Sequence, residues 1–342
     1  VKNKMKMKNI LIIGKSGLIG ERVTQVISEK ALPYKIYSAS RQVSNHPEHI
    51  QIDVTQEETL NRIKGKNIDL ILLCTNDQNN NVLKFCIDNS IDYLDITKPN
   101  KDLQKAYKIA QNSKINSRII FGSGWMGGII GGLIPSDEKI KELKLYIYYS
   151  LDDLGGKSSV DFLAENITKP FSFYNNNKAK QVKYFSDPEK HQFNYNLGTK
   201  NVYNFDLPDL FILNHSRNIP NISAKLAYNS EFAMNIVRIA LSIGLFSVLS
   251  ANTKKALFQS KGKGDKTAFD INFTTNNGNK QTVSLECSKG QSELTAYSTV
   301  LNIEKLFTKE KGIYFSHEMF NNSELNNLLE QNKYIKIKSA TI

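Results

Sequence analysis

Blocks of apolar residues recur at a regular rhythm through the first third of the chain. Ile10-Leu11-Ile12-Ile13 is a short continuous apolar run, the pattern of a parallel strand covered on both faces. After Gly17 the period becomes helical, with Leu18, Ile19, Val23, Val26 and Ile27 on one side. Similar runs predict strands over 35–41, 50–55, 69–76, 92–97 and 118–122, and amphipathic helices over 82–89 and 101–114. Strands alternating with helices predict an α/β unit over residues 1–124, an open parallel sheet with helices on both faces.

The turn after the first strand gives that sheet a Rossmann character. Gly14-Lys15-Ser16-Gly17-Leu18-Ile19-Gly20 has glycines at every third position, which lets a pyrophosphate approach the first N–H groups of a helix and its positive dipole end. Ligands of open α/β sheets sit outside the carboxyl ends of the strands. That rule nominates Ser40 and Arg41, Asp53 and Val54, Cys74, Thr75 and Asn76, and Thr97. Asp53 is placed to take the adenine amino group with Val54 beside the ring, and Thr55 is a candidate N-cap for the next helix. An acid after the second strand would bind the ribose hydroxyl of NAD, whereas a cation accommodates the extra phosphate of NADP. Arg41 stands there, and Lys15 adds a second positive charge, so NADP is expected over NAD.

Beyond residue 124 the pattern changes. Gly122-Ser123-Gly124-Trp125-Met126-Gly127-Gly128 is a second glycine-rich loop, predicted to enter a small-residue helix and to bring Gly124 and Trp125 to the cofactor. A second domain is expected over 125–290, with a strand at 143–150 and a hairpin of 271–275 with 282–287 across Asn276-Asn277-Gly278-Asn279. The polar stretch 174–200 reads as surface loops. A final amphipathic helix runs through Thr295, Val300, Ile303, Leu306 and Phe307, followed by Gly312-Ile313-Tyr314-Phe315 and a short tail. The stretch from Met234 to Ala251 has Arg238 as its only charge among eighteen residues and reads as a buried helix rather than an integral membrane span.

Composition narrows the class. A chain of 342 residues with 40% hydrophobic content is long enough for two cores. Cys74, Cys86 and Cys287 lack metal-ligand spacing, and no secretory segment precedes the first strand, so no metal, no disulfide and a cytoplasmic location are expected. Of the formal charge of +12, four units belong to Lys2, Lys4, Lys6 and Lys8, read as a tail before the first strand. The other lysines are dispersed without interleaved aromatics, which argues against nucleic acid as a partner.

Several segments together resemble the saccharopine dehydrogenase-like family of oxidoreductases. They are the Gly14/Gly17/Gly20 turn, Asp53-Val54-Thr55, the run from Asp69 through Val82–Ile87 to Tyr93-Leu94-Asp95-Ile96-Thr97, Gly122-Ser123-Gly124-Trp125, and Thr295-Ala296-Tyr297 with Gly312-Ile313-Tyr314-Phe315. The resemblance implies a mixed sheet in the second domain, a C-terminal segment (291–342) that packs back on the cofactor domain, and a homodimer. Members often follow the fifth strand with a glycine and an acid, whereas this chain has Lys98-Pro99-Asn100.

Hydride transfer needs a substrate carbon over the nicotinamide and one managed proton. Lys98 is the candidate to bind a substrate carboxylate or give a proton, and Asp152 and Asp153 are candidates to orient a substrate amine. His191 and His215 are further acids. A short-chain-type reductase is disfavoured because the Tyr-x-x-x-Lys pairs of the chain, Tyr174 with Lys178 and Tyr334 with Lys338, do not stand directly after the fifth strand. The expected activity is NADP-dependent reduction of a carbonyl or imine in an amino-acid-like or other anionic small molecule. The runner-up is a non-catalytic NADP-binding sensor or scaffold, peripheral to a membrane.

Overall fold

The structure is a computed structural model that describes residues 7–259 and 262–341; Lys2, Lys4 and Lys6 lie outside them. It divides into two compact units, one holding the chain up to Ile129 with Thr295–Phe320, the other holding Ile130–Leu294 with Asn321–Ile342. The first division falls five residues after the expected boundary. Of the segment 291–342, residues 295–320 are grouped with unit 1, and 291–294 and 321–342 with unit 2.

Unit 1 contains, in chain order, β1 (Lys8–Ile13), α1 (Leu18–Glu29), β2 (Tyr34–Ser40), β3 (His49–Gln51), β4 (Leu70–Leu73), α2 (Asn81–Asn89), β5 (Asp92–Asp95), α3 (Asn100–Gln111), β6 (Arg118–Phe121) and the helical turn α4 (Trp125–Gly128). With Gly312–Phe315 beyond β6, these strands form a seven-stranded parallel sheet whose order turns back between β4 and β1. Ile10–Ile12 and Leu70–Leu73 are fully buried, which is why the centre of β1 and all of β4 are continuous apolar runs. Lys8 opens β1 rather than lying in a tail, and its Nζ stands 3.1 Å from Asp69.

Two local expectations fail here. The third strand ends at Gln51, because Asp53 Oδ1 accepts the Thr55 N–H (3.0 Å) and hydroxyl (2.7 Å) and folds the chain out of the sheet. Thr55 therefore caps nothing, and the next helix is a 3-10 segment, Glu57–Ile63, with Gln56 at its N-cap. The second glycine loop enters only a four-residue turn, since Met126 (φ 51°) and Gly127 (φ 81°) take left-handed backbone.

Unit 2 holds β7 (Ile140–Tyr149), α5 (Lys157–Asn166), β8 (Phe171–Asn175), β9 (Lys178–Val182), β10 (Glu189–Phe193), β11 (Gly198–Asn204), α6 (Pro208–Arg217), β12 (Asn221–Tyr228), α7 (Glu231–Ser242), α8 (Leu245–Val248), α9 (Ala251–Phe258), β13 (Thr267–Thr275) and β14 (Lys280–Cys287). There follow α10 (Gly290–Leu306), whose residues from Thr295 belong to unit 1, then β15 (Gly312–Phe315), α11 (Asn322–Glu330) and β16 (Ile335–Thr341). The sheet of unit 2 is mixed, ordered β10-β11-β12-β7-β13-β14-β16, with β12 and β7 parallel and the β8–β9 hairpin attached to β12. Ile147, Phe269, Ile271 and Leu285 form the buried centre of one face. The hairpin of β13 and β14 lies where the pattern put it.

The stretch 174–200 is strands, not loops: β9 and the end of β8 are mostly exposed, so they carry no apolar alternation. Their turn is Asn176-Asn177, both at positive φ (48° and 60°), the backbone a two-residue hairpin requires. The expected buried helix at 234–251 is three helices broken at Gly244 (φ 74°), with much of its apolar side exposed. Among the described residues no helix is long and apolar enough to cross a membrane.

Candidate functional site

The carboxyl edge of the unit 1 sheet collects the residues nominated from sequence. At the end of β1, Gly14 turns with φ 87°, and the Gly17 N–H donates to its carbonyl at 3.1 Å. A Cβ on Gly20 would lie 2.5 Å from the Gly14 oxygen and 2.7 Å from Lys15 Cα, so the first turn of α1 packs directly on the loop backbone. Gly17 is the N-cap and no side chain caps it, leaving the N–H groups of the first turn, which begins at Leu18 and Ile19, for another acceptor. Ser16 and Gly17 are exposed and Lys15 is half-buried.

β2 lies beside this turn, and the Gly14 N–H donates to Ala39 O at 3.1 Å. Ser40 and the exposed Arg41 thus follow directly at the same edge. Arg41 also acts on Asp53. The Thr55 hydroxyl and N–H, aided by Arg41, hold the Asp53 carboxyl below its ordinary value. Asp53 is therefore a loop-closing anion as well as an adenine candidate, while Val54 beside it is buried.

The ends of β4 and β5 are tied together. The Thr97 hydroxyl stands 3.1 Å from Thr75 O and 2.9 Å from Asp95 Oδ1. Burial, with the Asp95 charge, pushes the Cys74 thiol well up, which makes it a packing group rather than a nucleophile. Asn76 Oδ1, Asp77 Oδ1 and Asn80 Oδ1 are buried oxygens without hydrogen-bond partners, grouped in the loop after β4. Burial raises the Asp77 carboxyl although Lys98 opposes the shift, and its Oδ2 accepts the Val82 N–H at the start of α2. Asp77 was not among the sequence candidates. The signal was present: a polar residue a few positions before a helix start is a natural cap.

Lys98, three residues beyond the end of β5, is buried. Its side chain and that of Asp95 are both 0% exposed, with Nζ 3.2 Å from Asp95 Oδ2. The ammonium also donates to Asp77 O at 2.9 Å. Asp95 further accepts the Tyr93 hydroxyl (2.6 Å) and the Thr97 N–H (2.7 Å), and the Ser123 hydroxyl donates to its carbonyl at 3.1 Å. Burial and the Asp95 charge hold the Tyr93 phenol protonated. This knot fixes the loops after β4, β5 and β6, so it positions Gly124, the N-cap of α4, and the half-buried Trp125.

The remaining candidates lie in unit 2. Asp153 is fully buried, accepting the Leu154 N–H at 2.8 Å and, at the start of α10, the Gln291 N–H at 2.9 Å, so it is a helix-end anchor. Asp152 is exposed, with Oδ2 3.2 Å from Asn229 Nδ2. His191 stacks on Tyr146 and meets Asp270 at 2.8 Å, and His215 stacks on Phe211. His191 is part-buried in unit 2, whereas His215 is exposed on it.

Comparison with solved structures settles the architecture. Saccharopine dehydrogenase (L-Glu forming) from Saccharomyces cerevisiae superposes with a TM-score of 0.63 at 13% identity, covering 98% of this chain and 100% of the other. The fold is saccharopine dehydrogenase-like. A meso-DAPDH mutant with DAP from Clostridium tetani E88 gives a TM-score of 0.45 at 14% identity over 95% of this chain and 99% of the other. Aspartate semialdehyde dehydrogenase II complexed with ASA from Vibrio cholerae gives 0.37 at 14% identity over 79% and 75%. No family model and no curated protein sequence matches the chain. Unit 1 of this chain holds the seven-stranded parallel sheet and unit 2 the mixed sheet, an α/β two-domain arrangement.

Proposed function

We propose that this chain is an NADP-dependent oxidoreductase that delivers hydride to a carbonyl or imine of an amino-acid-like or other anionic small molecule. The observation that carries the proposal is the uncapped α1 N-terminus behind Gly14, with Gly20 packed on the loop and Arg41, not an acid, after β2. The unpartnered buried oxygens after β4 fit a ligand that brings donors to that edge. A bound nicotinamide would supply the hydride; the protein has to bind, orient and exclude water.

In this reading the first-turn N–H groups of α1 and Ser16 hold the pyrophosphate. Arg41, Lys15 and Ser40 take the 2′-phosphate, Asp53 and Val54 border the adenine, and Cys74, Thr75, Asn76 and Thr97 border the nicotinamide ribose. Trp125 and Gly124 close the nicotinamide side. Lys98 acts through Asp95 and Asp77 as a positioning residue, and Asp152 is the carboxylate left to meet a substrate amine.

Fluorescence titration should give NADPH an affinity at least ~10-fold above NADH, and Arg41→Ala should remove most of that preference. Equal affinities in the unmutated protein would overturn the NADP assignment. NADPH consumption with a panel of 2-oxo acids and amines tests the catalytic half. Tight NADPH binding without turnover across the panel would replace it with the sensor reading.

A further inference from the structure

The helical segment α7–α9 of unit 2 carries an apolar face turned outward. Phe232, Ile236, Ile239 and Ile243 recur at helical spacing and are 77%, 52%, 61% and 71% exposed, and Val248 on α8 is 80% exposed. Met234 and Ala240 are the buried residues of α7. Single exposed apolar residues are ordinary, but a stripe sustained over three turns marks an interaction surface.

Charge indicates what covers it. From Phe232 to Thr253 Arg238 is the only charged residue, and it is used inward, with its guanidinium over the Tyr203 ring (4.4 Å) and Nε 3.3 Å from Phe185 O. The chain then becomes basic. Residues 254–266 contain Lys254, Lys255, Lys261, Lys263 and Lys266 against Asp265 alone. Lys255 is held by Asp161 (2.8 Å) and Lys266 faces Glu286 (3.6 Å), while Lys263 is exposed and Lys261 lies outside the described residues. An uncharged apolar ridge followed by a cationic segment is the arrangement that lies in a bilayer interface and attracts anionic headgroups. A second copy fits less well, because a twofold contact would join two chains of net charge +12 beside their basic flanks.

We propose that the outward face of α7 and α8, with Lys254 and Lys263 after it, docks this protein on an anionic lipid bilayer surface without crossing it. The test is co-sedimentation of the full chain with phosphatidylcholine vesicles, with and without about 30% phosphatidylserine. The protein should pellet with the phosphatidylserine vesicles and be released by about 0.5 M salt. Ile239→Ser/Ile243→Ser should weaken partition about tenfold or more, and Lys254→Gln/Lys263→Gln similarly, with unchanged circular dichroism and melting, since all four side chains lie away from the core. Failure of the folded wild-type chain to pellet would overturn the proposal, as would pelleting unaffected by both double variants. A dimer in sedimentation equilibrium that Ile239→Ser/Ile243→Ser dissociates would overturn it too, by giving the face to a second copy.

Discussion

Gly20→Ala is expected to abolish most cofactor binding while leaving the chain folded. The added Cβ would sit 2.5 Å from Gly14 O, 2.7 Å from Lys15 Cα and 2.8 Å from Lys15 O. All three neighbours are backbone, so no side-chain rotation relieves the contact. The first turn of α1 has to move off the loop, and its N–H groups then no longer converge on the pyrophosphate. Overpacking of this kind costs about 1–3 kcal/mol, which predicts an NADPH affinity lower by about tenfold to a hundredfold and a lowered melting temperature. Gly156→Ala is the control, because nothing lies within 4 Å of a Cβ there. Its stability should stay within about 0.5 kcal/mol of the parent, with NADPH affinity unchanged. Unaltered affinity in Gly20→Ala would remove the turn from the cofactor site.

The geometry of that turn is legible in the sequence because it is made by backbone. A buried strand, glycines at fixed spacing and a helical period leave few alternatives once the following strands are counted. The same physics explains the hairpin of β13 and β14, where an Asn-Gly turn separates runs that alternate or fill a core. Legibility fails where burial is partial. In Lys178–Val182 four of five residues are exposed, so composition resembles a loop although the backbone pairs with β8. β16 was missed although Ile335 and Ile337 alternate with Lys336 and Lys338 and the strand pairs with β14 along its length. At 234–251 hydrophobicity was read as burial, yet the apolar stripe of α7 points outward.

Charged groups were the least legible. Lys98 reads in the sequence as a candidate to bind a substrate carboxylate or give a proton, and nothing in its neighbours reveals that Asp95, three residues back, and the Asp77 carbonyl close around it. Asp153, a candidate in the sequence to orient a substrate amine, is committed to Gln291, 138 positions away. Such pairings depend on contacts between distant segments, and no local period encodes them.

The second large effect concerns Lys98. Lys98→Met keeps a side chain of similar length but leaves the Asp95 carboxylate, 0% exposed, without its cation. Removing one partner of a buried pair typically costs about 3–5 kcal/mol, so the variant should unfold at much lower denaturant than the parent. Asp95→Asn added to Lys98→Met removes the stranded charge and should recover a large part of the loss, the coupling expected of residues in direct contact. Turnover separates the two roles for this lysine. A proton donor would cost roughly 10²–10⁴-fold in kcat whatever happens to stability. A positioning residue predicts instead that the folded double variant keeps kcat within about tenfold of the parent, with its main loss in NADPH affinity as the loops after β4 and β5 loosen. A folded Lys98→Met/Asp95→Asn protein that binds NADPH normally but has lost at least a hundredfold in kcat would return Lys98 to the chemistry, despite the burial of its ammonium between Asp95 and Asp77.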